Sequence, residues 1–241
     1  MKGREPALRR TALVTGANRG IGLAVCRQLA GRGLRVFLTG RDGAATRDAA
    51  TALRSEGLDV LDAALDVRRE DAAALLAERL RQAGVRVDVL VNNAAVYPEG
   101  SLLEAPAEAF REAIATNFAG ALWTCRAFVP AMLAAGYGRV VNVSSDYGSF
   151  GAGLEGPAAY SLSKAALNAL TVKLAAAVSG DVKVNAAHPG WVRTRMGGPE
   201  SFRSPAARSA EDAARGIVWL ATLSSRGPNG GFYRDHRRVP W

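Results

Sequence analysis

The stretch TALVTGANRGIG (residues 11–22), with the LRVFLTG that follows it at 34–40, decides the fold. TALVTG is a short apolar run that ends in glycine, and the residues after the turn, IGLAVCRQLAGRG, have the composition of a helix. LRVFLTG is a second apolar run. A strand, a glycine-rich turn, a helix and a second strand form a β-α-β unit. Strands that are apolar throughout are typical of a parallel sheet with both faces covered.

The same alternation of apolar strands and helices continues along the chain. Further strands are predicted at 57–67, 87–95, 138–145, 181–187 and near 231–234, and helices at 44–56, 70–83, 107–135, 158–179 and 210–224. Right-handed crossovers between such strands give an α/β fold with a doubly wound, Rossmann-type parallel sheet. The 241 residues contain no internal repeat or linker, so we predict a single domain at 1–241, with its core at about 11–234.

Composition argues against several classes of protein. No apolar run approaches the ~20 residues that cross a bilayer, and MKGREPALRR at 1–10 lacks the apolar segment of a secretory signal. Cys26 and Cys125 fall in predicted helices, so we expect two buried thiols without a disulfide or a metal site. These features predict a cytoplasmic protein with no membrane partner.

The basic residues do not indicate a nucleic acid partner. The formal net charge is +9, but the arginines and lysines are scattered in small clusters along the helices. A nucleic-acid-binding protein usually concentrates basic residues on one face. Solvated helix surfaces are the preferred interpretation, and steering of anionic ligands is the alternative.

The glycine-rich turn after the first strand is the first candidate site. Its spacing is G-x-x-x-G-x-G rather than G-x-G-x-x-G. Glycines let the backbone approach a pyrophosphate, and the helix N-terminus supplies free N–H groups and partial positive charge. Because ligands of such sheets bind beyond the carboxyl ends of the strands, we predict a dinucleotide here rather than a merely structural loop. The candidate binding residues of the turn are Gly16, Asn18, Arg19, Gly20, Ile21 and Gly22.

The end of the second strand indicates which dinucleotide binds. An acidic residue there would bind the adenosine ribose hydroxyls and repel a 2′-phosphate. The chain instead reads LTGR at 38–41, and Arg19 lies in the neighbouring turn. Two guanidinium groups can hold a phosphate by charge-assisted hydrogen bonds, and Asp42 is expected to cap the next helix. The sequence favours NADP(H), with Arg41 as a solvated loop residue as the alternative.

Tyr160 and Lys164 form the second candidate site. They lie four residues apart in a predicted helix, which places a phenol and an ammonium on one face, about one turn apart. A phenol with a pKa near 10 transfers protons poorly at neutral pH. A neighbouring cation lowers that pKa and makes proton transfer to a substrate oxygen feasible. Tyr147 is a competing phenol, but no cation follows it one turn later.

A serine at the end of the fifth predicted strand completes this candidate site. The Ser-x-x-Gly spacing at 145–148 favours Ser145 over its neighbour Ser144. His188 precedes Pro189-Gly190 and could take part in acid–base chemistry, although a structural role is the preferred interpretation.

These motifs, in this order, resemble the short-chain dehydrogenase/reductase family over roughly 11–234. The matching residues are Thr15-Gly16-x-x-x-Gly20-Ile21-Gly22, Asn92-Asn93-Ala94, Asn117, Ser145, Tyr160-x-x-x-Lys164 and Pro189-Gly190. Within the family, LTGRD after the second strand, PGWVRTRM after the sixth and the tail GPNGGFYRDHRRVPW are similar to those of NADPH-dependent carbonyl reductases.

The resemblance implies a reaction and a role for each matching residue. A hydride passes from NADPH to a carbonyl carbon while Tyr160 protonates the oxygen. Lys164 lowers the pKa of Tyr160 and holds the nicotinamide ribose, Ser145 positions the oxygen, and Asn117 supports a water that links Lys164 to solvent. Asp66 is implied in adenine and ribose binding, or else caps a helix. The other implied cofactor contacts are Val67, Asn92, Asn93, Pro189, Gly190, Val192 and Thr194.

The segments 146–157 and 191–206 are predicted to wall the substrate pocket, the second as a mobile lid because it is rich in Gly and Pro. The candidate pocket residues are Ser145, Tyr147, Phe150, Trp191 and Met196, with Tyr97, Leu154 and Phe202 near them, and each aromatic or apolar one could pack as core instead. The predicted substrate is a small to medium apolar ketone or aldehyde. Ketoacyl thioester reduction, alcohol oxidation and a non-catalytic dinucleotide sensor are the alternatives.

The resemblance also predicts how copies of the chain associate. Only fourteen residues separate Ser145 from Tyr160, so the helical insertion that mammalian carbonyl reductases carry there is absent. In those proteins the insertion covers a helix face that otherwise forms a subunit interface. Its absence predicts a homodimer or homotetramer that associates through the helices at 107–135 and 158–179.

Overall fold

A single eight-stranded sheet organises the computed structural model, which describes residues 9–241. Its strands are β1 Thr11–Val14, β2 Arg35–Gly40, β3 Val60–Ala64, β4 Val89–Asn92, β5 Tyr137–Val143, β6 Asp181–Ala187, β7 Phe232–Arg234 and β8 Arg237–Arg238. The spatial order is β3-β2-β1-β4-β5-β6-β7-β8, with β1 to β7 parallel and β8 antiparallel to β7. The strand order reverses between β1 and β4, so the crevice for ligands lies at the carboxyl ends of these strands. Residues 1–8, most of the stretch that lacks an apolar signal segment, lie outside the described residues.

Helices cover both faces of the sheet. They are α1 Gly20–Gly31, α2 Gly43–Ser55, α3 Glu70–Gln82, α4 Ala107–Ala113, α5 Gly120–Ala134, α6 Ala158–Ala177, α7 Gly198–Arg203 and α8 Ala210–Ala221. One core cluster joins α1, α2 and α8 to the sheet, and a second joins α3, α5 and α6 to the opposite face. On β1, Leu13 belongs to one cluster and Val14 to the other. The central strands β1 and β4 are mostly apolar because both faces of the sheet are buried there, and the doubly wound, Rossmann-type α/β fold in a single domain is confirmed.

The long helix predicted at 107–135 is interrupted. A π-helical turn, Ile114–Ala119, separates α4 from α5. A π-helical turn holds one more residue than an α-helical turn and often lies at a functional site. Here it contains Asn117, which has 1% of its surface exposed. Sequence periodicity alone did not show this insertion.

Other boundaries also differ from the prediction. The strand expected at 57–67 is shorter, Val60–Ala64, because Gly57 takes a left-handed backbone with φ of +80° and turns the chain after α2. Two short elements, α7 and β8, were not predicted from the sequence. Cys26 and Cys125 are buried, free thiols, as expected. Within the described range, no helix is long and apolar enough to cross a membrane.

Candidate active site

The glycine-rich turn forms a cradle that only glycine can line. Gly16 adopts a left-handed φ of +61°, and a β-carbon there would lie 2.7 Å from the Cα atom of Ala94. A β-carbon on Gly22 would lie 2.6 Å from the side-chain nitrogen of Asn93. The backbone can therefore approach a ligand closely at this point, as a bound pyrophosphate requires.

Hydrogen bonds hold the cradle at the point where β1 and β4 end. The hydroxyl of Thr15 accepts hydrogen bonds from the backbone N–H groups of Asn93 and Ala94, both at 3.0 Å. The side-chain amide of Asn93 donates to the backbone carbonyls of Thr15 and Gly16, at 2.9 and 3.0 Å. Asn93 therefore shapes the turn through its side chain.

The N-terminus of α1 points into the same crevice. Helix α1 begins at Gly20, Arg19 is its N-cap, and no side chain caps its first N–H groups. Free N–H groups at a helix N-terminus bind phosphate. A β-carbon on Gly20 would lie 3.3 Å from Cγ2 of Thr194, so the segment after β6 closes over this end of the helix. Ile21 anchors the turn by packing against the hydrophobic core. These features fit a dinucleotide pyrophosphate.

Two arginines are candidates for binding a phosphate: Arg41 directly follows β2, and Arg19 lies in the turn after β1. Arg19 and Arg41 are both exposed, and neither forms an ion pair with a carboxylate among residues 9–241. The Asn18 side chain lies at the end of β2, with Oδ1 3.7 Å from a β-carbon placed on Gly40. The Asp42 carboxylate accepts hydrogen bonds from the N–H groups of Ala44 and Ala45, which confirms its predicted role as the cap of α2. The only acid next to Arg41 in the sequence is thus engaged by the helix.

Asp66, which follows β3, forms an ion pair and does not cap the next helix. The carboxylate of Asp66 pairs with Arg68 at 2.6 Å, and the hydrogen bond from Arg68 holds the pKa of Asp66 below its ordinary value. The N-cap of α3 is Arg69, so the alternative of Asp66 as a helix cap is wrong. Val67 buries its side chain against Gly120 of α5, which leaves only its backbone available for a cofactor contact.

Asn92 does not face the cofactor crevice. Its side chain is buried, donates to Oδ1 of Asn142 at 2.9 Å and accepts from the hydroxyl of Thr124 at 2.6 Å. These bonds fasten β4 to β5 and α5 inside the core. A contact of Asn92 with the adenosine part of a cofactor would therefore involve its backbone, because the polar atoms of its side chain already have partners inside the protein.

A close approach between the turn after β5 and helix α6 brings the serine to the tyrosine. A β-carbon on Gly148 would lie 2.5 Å from the carbonyl carbon of Lys164, so only glycine allows this contact. The amide of Asn168 donates to the Gly148 carbonyl at 2.8 Å and holds the turn in place. The glycine of the Ser-x-x-Gly motif is thus required because a side chain at 148 would clash with α6. Ser145 faces the site, whereas the Ser144 hydroxyl is buried and has no hydrogen-bond partner among residues 9–241.

Tyr160 lies at the bottom of the site, with 7% of its surface exposed. Its ring centre is 4.6 Å from that of Tyr97 and 6.4 Å from that of Tyr147. Burial raises the pKa of the Tyr160 phenol above its ordinary value, and the hydrogen bond with Ser145 opposes this shift only in part. The phenol is therefore protonated at neutral pH.

Lys164 does not act on Tyr160 in the way that the spacing suggested. Its nitrogen lies 5.5 Å from the centre of the Tyr160 ring, but it donates its hydrogen bond to the backbone carbonyl of Val143, at 2.7 Å. Burial lowers the pKa of Lys164 to about 7. The expected lowering of the Tyr160 pKa is absent because desolvation dominates at both groups.

Asn117 joins three parts of the site. Its side-chain oxygen accepts from the N–H of Val96 at 2.8 Å, and its nitrogen donates to the Val96 carbonyl and to the hydroxyl of Ser163. These bonds tie the segment after β4 to α6, the helix that carries Tyr160. Because the side chain is fully engaged, the water-supporting role expected of Asn117 would fall to its backbone carbonyl.

The segment after β6 forms the roof of the crevice. Gly190 has a φ of +81°, and Arg208 donates to the carbonyl of Pro189 at 3.1 Å. Val192 is buried and forms an isolated parallel bridge with Arg208. The hydroxyl of Thr194 accepts from the N–H of Gly197 at 3.2 Å. The region predicted to be a lid thus contains a short helix, α7, and backbone pairing at its base.

The predicted aromatic wall is open towards solvent. Tyr147 is half-buried and lies over Gly156, but the side chains of Phe150, Trp191 and Met196 are exposed at the rim. The indole nitrogen of Trp191 donates to the carbonyl of Gly197 at 3.1 Å, which fixes this ring against the lid segment.

The C-terminal residues also contact this wall. The carbonyl of Pro240 accepts from the Ser149 hydroxyl at 3.0 Å, and the carbonyl of Trp241 accepts from the N–H of Gly151 at 2.8 Å. The Trp241 ring stacks on Phe232, with ring centres 5.5 Å apart. These contacts of the tail were not predicted from the sequence.

A carboxylate that the sequence analysis did not assign lies inside the site. Asp146 accepts a hydrogen bond from the Ser145 hydroxyl at 2.9 Å, and its second oxygen is 3.6 Å from Nε2 of His188. The only signal in the sequence was an acidic residue directly after the candidate serine. His188, interpreted as structural, is in contact with this carboxylate.

Comparison with known proteins gives a consistent result. The carbonyl reductase (NADPH) 1 of Sus scrofa is 34% identical over 285 aligned positions, which cover 96% of this chain and 94% of that protein. The alignment is longer than this chain, as expected for a relative with an insertion. The galactitol 2-dehydrogenase (L-tagatose-forming) of Cereibacter sphaeroides is 38% identical over 187 residues, covering 77% of this chain and 72% of that protein.

Solved structures and a family model agree with these relatives. The crystal structure of a variant of the actinorhodin polyketide ketoreductase with NADPH matches with a TM-score of 0.85 and 28% identity, covering 94% of this chain and 95% of that chain. The model of the short chain dehydrogenase family matches residues 10–203. The protein with this cradle and this Ser-Tyr-Lys site is therefore a member of the short-chain dehydrogenase/reductase family of oxidoreductases.

Proposed function

We propose that this chain uses NADPH to reduce the carbonyl group of small to medium, largely apolar ketones or aldehydes. The observation that carries the proposal is the close packing of the turn after β5 on helix α6, where a β-carbon on Gly148 would lie 2.5 Å from the carbonyl carbon of Lys164; this packing brings Ser145 to Tyr160. Because burial raises the pKa of Tyr160, the phenol keeps its proton at neutral pH, as the acid of a carbonyl reduction must.

The proposed reaction needs a proton at the carbonyl oxygen. NADPH, when bound, would supply the hydride for the carbonyl carbon. Tyr160 would donate its proton to the oxygen as negative charge develops there, and Ser145 would hold that oxygen in place. General acid catalysis of this kind contributes about 10²–10⁴-fold.

Lys164 would lower the free-energy cost of the proton transfer. Once its proton has left, Tyr160 is a buried phenolate, which is unfavourable without a nearby cation. The Lys164 nitrogen lies 5.5 Å from the ring, and a pKa of about 7 lets it gain and lose a proton near neutral pH. Asn117, which is hydrogen-bonded to Ser163 on α6, would support the exchange of that proton with solvent.

The preference for NADP(H) rests on Arg19 and Arg41. Both side chains are exposed and neither forms an ion pair with a carboxylate in the described part of the chain, so a 2′-phosphate bound after β2 would find two guanidinium groups available. The relative in Sus scrofa is an NADPH enzyme by name, and the ketoreductase structure holds NADPH.

Oxidation of an alcohol is the second candidate, favoured by the relative named as a galactitol 2-dehydrogenase. In that direction Tyr160 must first lose its proton, and the raised pKa opposes this step at neutral pH. Reduction is therefore the preferred direction near pH 7, with oxidation at higher pH.

The experiment is a carbonyl panel assayed by NADPH oxidation, with wild type and Tyr160→Phe. We expect turnover by the wild type and a loss of about 10²-fold or more in Tyr160→Phe, with NADPH binding retained. Tyr137→Phe is the matched control, because this phenol is on β5 and has a buried hydroxyl without a partner among residues 9–241. Tight NADPH binding by a wild type that reduces no carbonyl compound would instead identify a dinucleotide sensor.

A further inference from the structure

A carboxylate is fixed against the serine that would hold the substrate oxygen. Oδ1 of Asp146 accepts hydrogen bonds from the Ser145 hydroxyl at 2.9 Å and from the N–H of Tyr147 at 3.0 Å. Both contacts lie at the start of the turn Asp146–Gly148, which Gly148 holds against α6. The turn that positions the serine thus positions a negative charge beside it.

The second oxygen of the Asp146 carboxylate faces the uncharged imidazole ring of His188. Nε2 of His188 is 3.6 Å from Oδ2 of Asp146, while Nδ1 accepts from the N–H of Gly190 at 3.4 Å. The ring hydrogen is therefore on Nε2 and directed at Asp146. Burial lowers the pKa of His188, so the imidazole is uncharged at neutral pH.

The charge of Asp146 is not neutralised by a neighbouring cation. No lysine or arginine among residues 9–241 lies within ion-pair distance of this carboxylate, and Arg208, which is close to His188, pairs with Asp235 at 2.8 Å. The Asp146 side chain is 50% exposed. The negative charge of Asp146 is therefore accessible to a ligand that binds in the crevice next to Ser145.

We infer that Asp146 determines substrate specificity, favouring carbonyl compounds that carry a hydroxyl or ammonium group on the carbon next to the carbonyl over keto acids. This inference rests on the proposed carbonyl reduction. The 2.9 Å between the Ser145 hydroxyl and Asp146 is comparable with the separation of two polar atoms on adjacent carbons. A substrate can thus place its carbonyl oxygen at Ser145 and Tyr160 and its donor at Asp146.

A substrate donor also changes what Ser145 can do. In the structure the Ser145 hydroxyl gives its hydrogen to Asp146. A hydroxyl or ammonium of the substrate that binds Asp146 takes over this role and frees the serine hydrogen for the carbonyl oxygen. A substrate carboxylate in the same position is repelled by the negative charge of Asp146, and the Ser145 hydroxyl remains hydrogen-bonded to Asp146.

Four ketones with one phenyl group test the inference: acetophenone, α-hydroxyacetophenone, phenacyltrimethylammonium and benzoylformate. The trimethylammonium group has no N–H, so it tests the charge of Asp146 alone, whereas the hydroxy ketone tests the hydrogen bond. The measurement is kcat/KM at saturating NADPH for wild type and Asp146→Asn. Relative to acetophenone, we expect Asp146→Asn to lose about tenfold with the fixed cation and to gain about tenfold with benzoylformate, each equivalent to about 1.4 kcal/mol. The loss with the hydroxy ketone is smaller, because asparagine retains an acceptor oxygen.

Asp62→Asn is the matched control, because it removes the same charge on β3 at the far edge of the sheet and is expected to leave the four ratios unchanged. Equal ratios in wild type and Asp146→Asn would overturn the inference, while turnover of acetophenone would still support the proposed function. A higher kcat/KM of the wild type for benzoylformate than for phenacyltrimethylammonium would also overturn the inference, without any variant. A wild type that reduces none of the four would remove the proposed function as well.

Discussion

The ammonium nitrogen of Lys164 donates a hydrogen bond to the backbone carbonyl of Val143, at 2.7 Å, and so joins helix α6 to the end of strand β5. Only 2% of the lysine surface is exposed. The charged form of Lys164 is therefore destabilised, because a single carbonyl replaces the water that would otherwise solvate the ammonium. Burial lowers the pKa of Lys164 to about 7, from 10.5.

Lys164 should make stability rise with pH. In the unfolded chain the lysine keeps its pKa of 10.5, so between about pH 7 and 10.5 the unfolded state binds more protons than the folded state. The free energy of unfolding then increases with pH over this window, and the cost of burying the ammonium is fully present below it. Urea unfolding should show that wild type gains stability relative to Lys164→Met as the pH rises through this range.

The control for this experiment is Lys173→Met, at an exposed position of the same helix. Its difference from wild type should stay constant with pH, because the exposed side chain is solvated in both states. A constant difference for Lys164→Met as well would mean that the buried lysine keeps its charge at little cost.

Arg41→Asp should reverse the preference for NADP. The substitution removes one guanidinium from the end of β2 and puts a carboxylate where a 2′-phosphate would lie. A charge-assisted hydrogen bond contributes about 1.5–3 kcal/mol, so the ratio of kcat/KM for NADPH over NADH should fall by about tenfold or more. Arg79→Asp on α3 makes the same change of charge far from β2 and should leave the ratio unaltered. An unchanged ratio in Arg41→Asp would mean that Arg41 is only a solvated loop residue.

The fold and the placement of the glycine turn followed from the sequence because both depend on local patterns. Strands buried on both faces must be apolar throughout, and the close contacts at Gly16 and Gly148 admit no side chain. The Ser-x-x-Gly spacing marked the turn that contacts α6 for the same reason. Each of these features is encoded within a few consecutive residues.

Features that depend on distant residues did not follow from the sequence. The pKa of Tyr160 reflects burial among several elements, and it changes in the direction opposite to the one that the neighbouring lysine suggested. The contact of Asp146 with His188 joins the ends of two strands that are far apart in the chain. The engagement of Asn92 in the core depends on which face of β4 it occupies, which an apolar strand does not reveal.

Gly16→Ala should weaken both folding and NADPH binding. The backbone of Gly16 has a φ of +61°, which costs a residue with a side chain about 1–2 kcal/mol, and the new methyl group would meet Ala94 at 2.7 Å. Gly31→Ala is the control in the adjoining helix, where a β-carbon meets nothing within 4 Å, so its stability should equal or exceed that of wild type. Thermal unfolding and the quenching of protein fluorescence by NADPH measure the two effects. If Gly16→Ala binds NADPH as wild type does, the turn is not the pyrophosphate site.

The chain should form a dimer or a tetramer through α6 and the neighbouring helical stretch. Leu162 and Val172 on α6 are 44% and 43% exposed, and Ile114 in the π-helical turn and Leu133 on α5 are exposed as well. A second copy would bury this surface, since apolar area is driven from water. Light scattering at micromolar concentration should give a multiple of the 25.3 kDa chain mass, and Leu162→Glu with Val172→Glu should shift it to the monomer.

Leu75→Glu is the matched control for this surface, because Leu75 is a leucine on α3 that is 52% exposed. It makes the same apolar-to-acidic change outside the predicted interface and should leave the mass unchanged. A monomeric wild type would mean that α6 remains solvated despite its apolar side chains. A mass that falls equally in Leu75→Glu would place the interface on α3, beyond the helix face that the missing insertion leaves open.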